Sequence, residues 1–249
     1  MRKLVNELTQ KNLQLKSAIG IVSPHAGFVY SGHVAGAVFS KVKLPDTFII
    51  MGPNHTGSGR PYSIIKDGCW ETPLGKVAVD AELAEDLLSR SRFLQNDPSA
   101  HAFEHSVEAQ LPFVQFFKET FKFVPVVLWH EDLEIYKDIA KAVSQAIKKS
   151  KKDVLIIASS DMTHYEPHKT AVVKDQEAIK AIINLDEKEL LEKIDELDIS
   201  MCGYAPTVIM IIAAKMLGAK SGELVKYQTS GDASGDYASV VGYAGIIIS

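Results

Sequence analysis

The sequence of 249 residues contains little cysteine, little net charge and no long hydrophobic run. Its two cysteines, Cys69 and Cys202, are too few for a disulfide scaffold and favour reduced thiols in a cytoplasmic protein. Because the formal net charge is -4, the protein is not expected to attract nucleic acid or an anionic membrane electrostatically. The longest apolar run, residues 208–214, is too short to cross a bilayer. We therefore expect a cytoplasmic protein without nucleic-acid or membrane partners.

Short apolar segments rich in β-branched residues alternate with longer segments of helical period. The predicted strands include residues 18–23, 47–51, 153–159, 224–230 and 239–248. The predicted helices include residues 31–41, 105–121 and 205–217. This alternation predicts an α/β fold, a three-layer α/β/α sandwich with a mixed, mostly parallel central sheet. Because no linker rich in proline, glycine or serine interrupts the pattern, residues 1–249 are expected to form a single domain.

Histidines follow three of the predicted strands, close to the point where each strand ends. His25 lies in the segment Pro-His-Ala-Gly, His55 in Gly-Pro-Asn-His and His164 in Ser-Ser-Asp-Met-Thr-His. In open α/β sheets, ligands bind outside the carboxyl ends of the strands, so three histidines at equivalent positions predict one shared site. Histidine is a common metal ligand and also the usual acid or base near neutral pH, which leaves both roles open. His130, near a polar helix start, is expected to be an ordinary surface residue.

Four polar residues are candidates for supporting roles around this site. Asp161 precedes His164 by three residues and could accept its imidazole N–H, although a helix N-cap or an Asx-turn explains it nearly as well. If a helix begins near His105, His105 and Glu108 share one face and could bind a metal ion, although capping of the helix explains them as well. They are expected to line the pocket or to cap the helix rather than to act as ligands. Asp232 lies in a connection that is long for a simple hairpin, and it is expected to line the pocket.

Cys202 lies in a loop that contains glycine and proline, between two predicted helices. The commonest role of a free cysteine is that of a small buried hydrophobic residue. As a thiolate it would instead be a soft metal ligand or a nucleophile. Periodicity does not decide between these alternatives.

Taken together, these residues resemble the Memo family, named for mediator of ErbB2-driven cell motility. The matching segments are residues 24–32, 52–55, 104–112, 159–161 with His164, 202–203 and 240–243. They occur in order over nearly the whole chain, so the resemblance is specific. The sequence departs from the family in one place, because the Phe-Tyr-Pro stretch that members usually carry ahead of the first strand is missing.

The resemblance implies a fold similar to that of the class III extradiol dioxygenases, which are non-haem iron enzymes that cleave catechol rings. Those enzymes bind Fe(II) with two histidines and a glutamate and use another histidine as acid and base. By resemblance, His25 and His55 are the two histidine ligands, Cys202 stands in the place of the third ligand, and His164 is the acid/base. A site with a thiolate is softer and would accept copper as readily as iron, with zinc as a further option. Ring cleavage therefore does not follow from the fold.

The leading hypothesis is a Memo-family metal-binding protein that is redox-active with iron or copper and has a non-haem dioxygenase-like pocket. Catalysis would then rest on His164, supported by Asp161. One alternative is a non-catalytic module that binds a peptide or small molecule in the same pocket. Another is a zinc-dependent hydrolase with His164 as the base. The family resemblance also suggests a radical SAM protein as a partner.

Overall fold

The β-branched apolar segments of the sequence form one large sheet in the computed structural model, which describes residues 1–11 and 13–249. Its strands are β1 (Gly20–Ser23), β2 (Thr47–Pro53), β3 (Tyr62–Ile64), β4 (Cys69–Thr72), β5 (Gly75–Val79), β6 (Gln95–Asn96), β7 (Lys122–Leu128), β8 (Val154–Ser159), β9 (His164–Glu166), β10 (Gly222–Thr229) and β11 (Val240–Ile248). The helices are α1 (Arg2–Leu8), α2 (Phe28–Lys41), α3 (Ala81–Arg90), α4 (Leu111–Phe117), α5 (Leu133–Ser150), α6 (His168–Ile183), α7 (Glu187–Glu196), α8 (Tyr204–Leu217) and α9 (Gly231–Ser234).

The sheet is mixed and has the main order β10-β11-β1-β8-β2-β7-β3-β6. Its central strands β1, β8, β2 and β7 run parallel to one another, while β11 pairs antiparallel with both β1 and β10. Helix α2 packs on β10, β11 and β1 together with α1 and α4, and α8 packs on β8, β1 and β2 together with α5. This arrangement confirms the predicted three-layer α/β/α sandwich with a mixed, mostly parallel sheet.

Strand β8 is the centre of the sheet because its side chains are apolar on both faces. Leu155 to Ala158 are fully buried, as expected for a parallel strand covered by helices on both sides. Val22 of β1 and Met51 of β2 both pair with Ala158, so the three strands end at nearly the same level. Pro53 of β2 pairs with Leu128 of β7, which brings the end of a fourth strand to the same edge. The loops that follow these strands therefore meet at one place.

The helix predicted over residues 105–121 is wrong in its first half. Only a short 3-10 turn, Glu108–Gln110, precedes α4, and α4 begins at Leu111 with Pro112 in its first turn. Proline is well suited to that position because it has no N–H to leave unbonded. The backbone N–H groups of His105 and Ser106 donate instead to the carboxylate of Glu104, at 2.9 and 2.8 Å. His105 and Glu108 therefore do not share a helix face.

Helix α8 is the most thoroughly buried helix of the described chain. All residues from Ala205 to Ala214 are buried, because this segment packs on the sheet with one side and on α5 with the other. Among the residues that the structure describes, no helix combines the length and the apolar character needed to cross a membrane. The apolar residues of α8 thus form part of the core of the sandwich.

Candidate metal centre

Three imidazole rings meet at the edge where the parallel strands end. The ring centroids of His25 and His55 are 5.2 Å apart, those of His25 and His105 are 5.4 Å apart, and those of His55 and His105 are 4.9 Å apart. One nitrogen from each residue lies within 4.8 Å of the others. Three nitrogen ligands on a single ion, with bonds of about 2.0–2.1 Å, lie about 3.3–3.6 Å from one another. The nitrogens would therefore have to approach one another by up to about 1.5 Å to bind one ion together.

The cluster is buried on one side and open on the other. The side chain of His25 is 2% exposed, whereas those of His55 and His105 are 32% and 56% exposed. Burial lowers the pKa of His25 to about 4, since the nearby charge of Asp161 opposes that effect only in part. His25 is therefore neutral near pH 7, which is the form of histidine that binds metal ions.

Hydrogen bonds to Ser159 determine which nitrogen of His25 carries its proton. The hydroxyl of Ser159 donates its only proton to the carbonyl of Ser106, at 2.6 Å. It accepts from Nε2 of Gln110 at 2.8 Å, and Nδ1 of His25 lies 2.9 Å away. Because the hydroxyl has no second proton to give, Nδ1 of His25 must be the donor. The lone pair of His25 is thus on Nε2, where a metal ion would be bound.

The orientation of His55 is set by the buried carboxylate of Glu104. One carboxylate oxygen accepts from Nδ1 of His55 at 3.0 Å, and the other accepts from its backbone N–H at 2.7 Å. Burial would raise the pKa of Glu104, but the hydrogen bonds from His55 and from the backbone of Ser106 lower it to about 2. The ionised carboxylate holds the proton of His55 on Nδ1 and leaves Nε2 free, as in carboxylate–histidine–metal arrangements.

Asp161 holds the loop that carries His25 rather than the imidazole of His164. Its Oδ1 accepts the backbone N–H of His25 at 2.9 Å and that of Ala26 at 3.4 Å. The Nδ1–H of His164 donates to the carbonyl of Ser200 at 2.9 Å. The hydrogen bond expected between Asp161 and His164 is therefore replaced by two others. These bonds join His164 to Ser200, which precedes Cys202 by two residues.

Cys202 lies next to His25, in the loop before α8. Its Sγ is 3.3 Å from Nε2 of His25, and the backbone N–H of Asp161 points at the same sulfur from 3.4 Å. Gly203 is needed here because a Cβ at that position would come within 2.3 Å of the carbonyl oxygen of Ser159. Burial, and then the charge of Asp161, raise the pKa of the Cys202 thiol. A thiolate at this position thus requires a neighbouring cation.

Two of the predicted pocket residues lie away from the imidazoles. Glu108 is exposed and borders a separate small cavity beside Trp70 and Pro112. Asp232 is exposed and accepts the backbone N–H of Thr229 at 2.8 Å, which fixes the turn between β10 and β11. The structure therefore brings His25, His55 and His105 together, places Cys202 against His25, and leaves Glu108 and Asp232 outside.

A cleft of about 320 Å³ opens beside His55 and Cys202. The other residues that border it are Pro53, Asn54, Leu128, Trp129 and His130. His130 donates from Nε2 to the carbonyl of Cys202 at 2.9 Å and stacks on Tyr204, with ring centroids 4.2 Å apart. Trp129 and His130 were not predicted as site residues. They follow β7, so the rule that located the other histidines at strand ends applies to them as well.

Nearly the whole chain is similar to the proteins of one family. Residues 1–247 match the model of the family described as Memo-like protein. A MEMO1 family protein of Methanopyrus kandleri is 45% identical over 232 residues, which cover 92% of this chain and 82% of that protein. A MEMO1 family protein of Pyrobaculum aerophilum is also 45% identical, over 97% of this chain and 89% of that protein.

A solved structure supports the same architecture. The crystal structure of an uncharacterized Escherichia coli protein superimposes with a TM-score of 0.62 and covers 92% of this chain and 98% of that one. Its sequence identity is 13%, so the likeness concerns the fold alone.

Proposed function

The chain belongs to the Memo family, and we propose that it binds a redox-active metal ion, iron or copper, in a dioxygenase-like pocket. The proposed ligands are His25, His55 and Cys202. The observation that carries the proposal is the convergence of two imidazoles whose Nδ1 protons are both held by neighbouring acceptors. Such fixed tautomers are typical of metal-binding histidines.

The chemistry of these donors fits such an ion. Two neutral imidazoles and a thiolate form a mixed nitrogen and sulfur set, which suits iron and copper better than magnesium or calcium. The buried thiol of Cys202 gains most from a cation, since no lysine or arginine forms an ion pair with it in the described part of the chain. His105 offers a further nitrogen at the exposed side of the cluster.

A bound iron or copper ion would supply Lewis acidity and one-electron chemistry. The chain itself would supply proton transfer and confinement. Since the Nδ1–H of His164 is held by the carbonyl of Ser200, its Nε2 is the atom that accepts a proton from a bound molecule. The cleft beside Trp129 would hold a small molecule or a single side chain, because its volume is about 320 Å³.

Anaerobic metal analysis tests the ligand assignment. We expect the wild-type protein to bind iron or copper and Cys202→Ala to lose most of its affinity for that ion. Cys69→Ala is the matched control, because Cys69 is the other free cysteine and lies exposed outside the cluster. Unchanged metal content in Cys202→Ala would contradict the role of the thiolate. Unchanged content in the double variant His25→Ala/His55→Ala would contradict the proposed function itself.

A second candidate function, zinc-dependent hydrolysis, is favoured by one observation. His105 completes a group of three imidazoles, and three histidines are a donor set typical of catalytic zinc. In that case zinc would compete successfully with iron and copper, and His105→Ala would lose more metal than Cys202→Ala. Ester hydrolysis that depends on bound zinc would then replace redox activity as the expected reaction.

A further inference from the structure

The ring of His105 forms no hydrogen bond in the described part of the chain, unlike the rings of its two neighbours. The Nδ1–H of His25 is held by Ser159, and that of His55 is held by Glu104. Oε1 of Glu104 lies 3.6 Å from Nδ1 of His105, which is too far for a hydrogen bond. Two imidazoles of the cluster are therefore fixed in orientation, whereas the third is free to rotate.

The backbone of His105 is fixed although its ring is not. Its N–H donates to Oε1 of Glu104 at 2.9 Å, and the same oxygen accepts from Nδ1 of His55 at 3.0 Å. One buried carboxylate thus holds the backbone of one histidine close to the ring of the other. Rotation about the side-chain bonds of His105 would move its ring toward the cluster or toward solvent while its Cα stays in place.

The three rings of the cluster have the spacing of ligands around one ion. The centre of a bound imidazole lies about 3.2 Å from the ion, so two rings at a tetrahedral angle have centres about 5.2 Å apart. The separations in the structure are 4.9 Å for His55 and His105, 5.2 Å for His25 and His55, and 5.4 Å for His25 and His105. Rotation of the rings, with little movement of the backbone, can therefore direct all three nitrogens at one ion.

The donors of the candidate centre differ in how easily solvent reaches them. Of the three imidazoles, His105 is the most exposed and His25 is the most buried. The sulfur of Cys202 lies 3.3 Å from Nε2 of His25, at the buried end of the cluster. His25 and His55 are thus shared by two donor sets, one completed by the exposed His105 and the other by Cys202. An ion that arrives from solvent reaches the first set before the second.

We propose that His105 is an entry ligand, which binds the ion first together with His25 and His55 and is then replaced by Cys202. This inference rests on the proposed function. Because His105 is absent from the final ligand set, it raises the rates of uptake and release by the same factor and leaves the dissociation constant unchanged. Cys202 has the opposite effect, because a ligand of the final site slows release of the ion.

Anaerobic uptake of cobalt(II), followed by stopped-flow absorption, tests this order of binding. Cobalt(II) follows iron(II) in the order of affinity for nitrogen and sulfur ligands, and its bond to a thiolate absorbs in the near ultraviolet. In the wild type, we expect the visible bands of cobalt bound to nitrogen to appear before the thiolate band. Cys202→Ala is expected to give the first signal without the second. Mixing the loaded protein with a chelator measures release.

Two variants of His105 separate its role as a donor from the space that its ring occupies. His105→Phe keeps a ring beside His55 and removes the donor nitrogens. We expect it to take up and release cobalt(II) about tenfold more slowly than the wild type, with the same final spectrum and dissociation constant. His105→Ala is expected to be slowed in the same way. His33→Ala is the matched control, because His33 is an exposed histidine of α2 outside the cluster, and its rates should equal those of the wild type.

A permanent role of His105 in the site, or no role at all, would overturn this inference. Weaker binding with a changed final spectrum in His105→Phe would make His105 a lasting ligand, as in the zinc site of the second candidate function. Unchanged rates in both variants would show that His105 takes no part, and faster uptake in His105→Ala would show that its ring only covers the site. A wild-type protein that takes up no cobalt(II) also overturns the inference, whereas the proposed function falls only if iron and copper are not bound either.

Discussion

At the scale of single residues, one buried hydroxyl links several parts of the candidate centre. Ser159 lies at the end of β8 and bonds to Ser106, Gln110 and His25 at once. Each of its partners is buried, so each loses a hydrogen bond that water cannot replace if the hydroxyl is removed. Ser159 is therefore important both for the stability of the protein and for the tautomer of His25.

Ser159→Ala is expected to weaken metal binding about 10- to 100-fold, because the Nδ1 proton of His25 is no longer held in place. The unfolding free energy should fall by about 1–3 kcal/mol, owing to the buried groups left without a partner. Metal titration and urea denaturation measure the two effects. Ser144→Ala removes another buried hydroxyl, which donates to Lys141 within α5, and should lower stability without changing metal affinity. A variant at Ser159 with normal metal affinity would contradict the tautomer argument.

At the scale of secondary structure elements, α1 is attached to α2 through two glycines. A Cβ at Gly32 would come within 2.6 Å of Cδ1 of Leu8, the end of a flexible side chain. A Cβ at Gly36 would come within 2.1 Å of the carbonyl oxygen of Leu8, which is backbone. Both glycines lie in α2 and contact Leu8. Gly32 contacts its side chain, which can move, whereas Gly36 contacts its backbone, which moves less easily.

This difference predicts unequal effects of the same substitution. Gly36→Ala should lower the unfolding free energy by about 1–3 kcal/mol, since the backbone at the end of α1 must shift. Gly32→Ala should cost less than Gly36→Ala, because Leu8 can change its rotamer and alanine favours the helix by up to about 1 kcal/mol. Chemical denaturation of the two variants tests this. Equal losses would show that α1 is held by contacts other than the close approach at Gly36.

Part of the candidate centre could be predicted from the positions of the strands and helices in the sequence. Strand ends can be read from apolar segments, so the shared location of His25 and His55 was predictable from chemistry and topology alone. The turn that carries His105 was not, because it depends on the carboxylate of Glu104 replacing helical hydrogen bonds. The assignment of Cys202 as a ligand came from family resemblance.

At the scale of the whole molecule, the candidate centre joins distant segments of the chain. His25 and Cys202 are 177 residues apart in sequence and 3.3 Å apart in space. An ion bound between them would connect the loop after β1 to the loop before α8. Because such an ion would bind the folded state alone, metal binding and global stability should be coupled.

Saturating metal at about 100 times its dissociation constant is expected to stabilise the protein by about 2.7 kcal/mol. For a chain of 249 residues this corresponds to a rise in melting temperature of about 5–10 °C. Thermal denaturation with added metal and with a chelator measures the difference. The double variant His25→Ala/His55→Ala should show none. A similar rise in that variant would mean that the ion stabilises the protein from another site.

The order of strands in the sheet determines how late during synthesis of the chain the candidate centre can form. β8 lies between β1 and β2, so the two strands that precede His25 and His55 do not pair with each other. During synthesis the first sixty residues already contain both histidines, yet the strand that holds them in register is made about a hundred residues later. Cys202 follows later still. An ion at the candidate centre would therefore bind only after nearly all of the chain has left the ribosome.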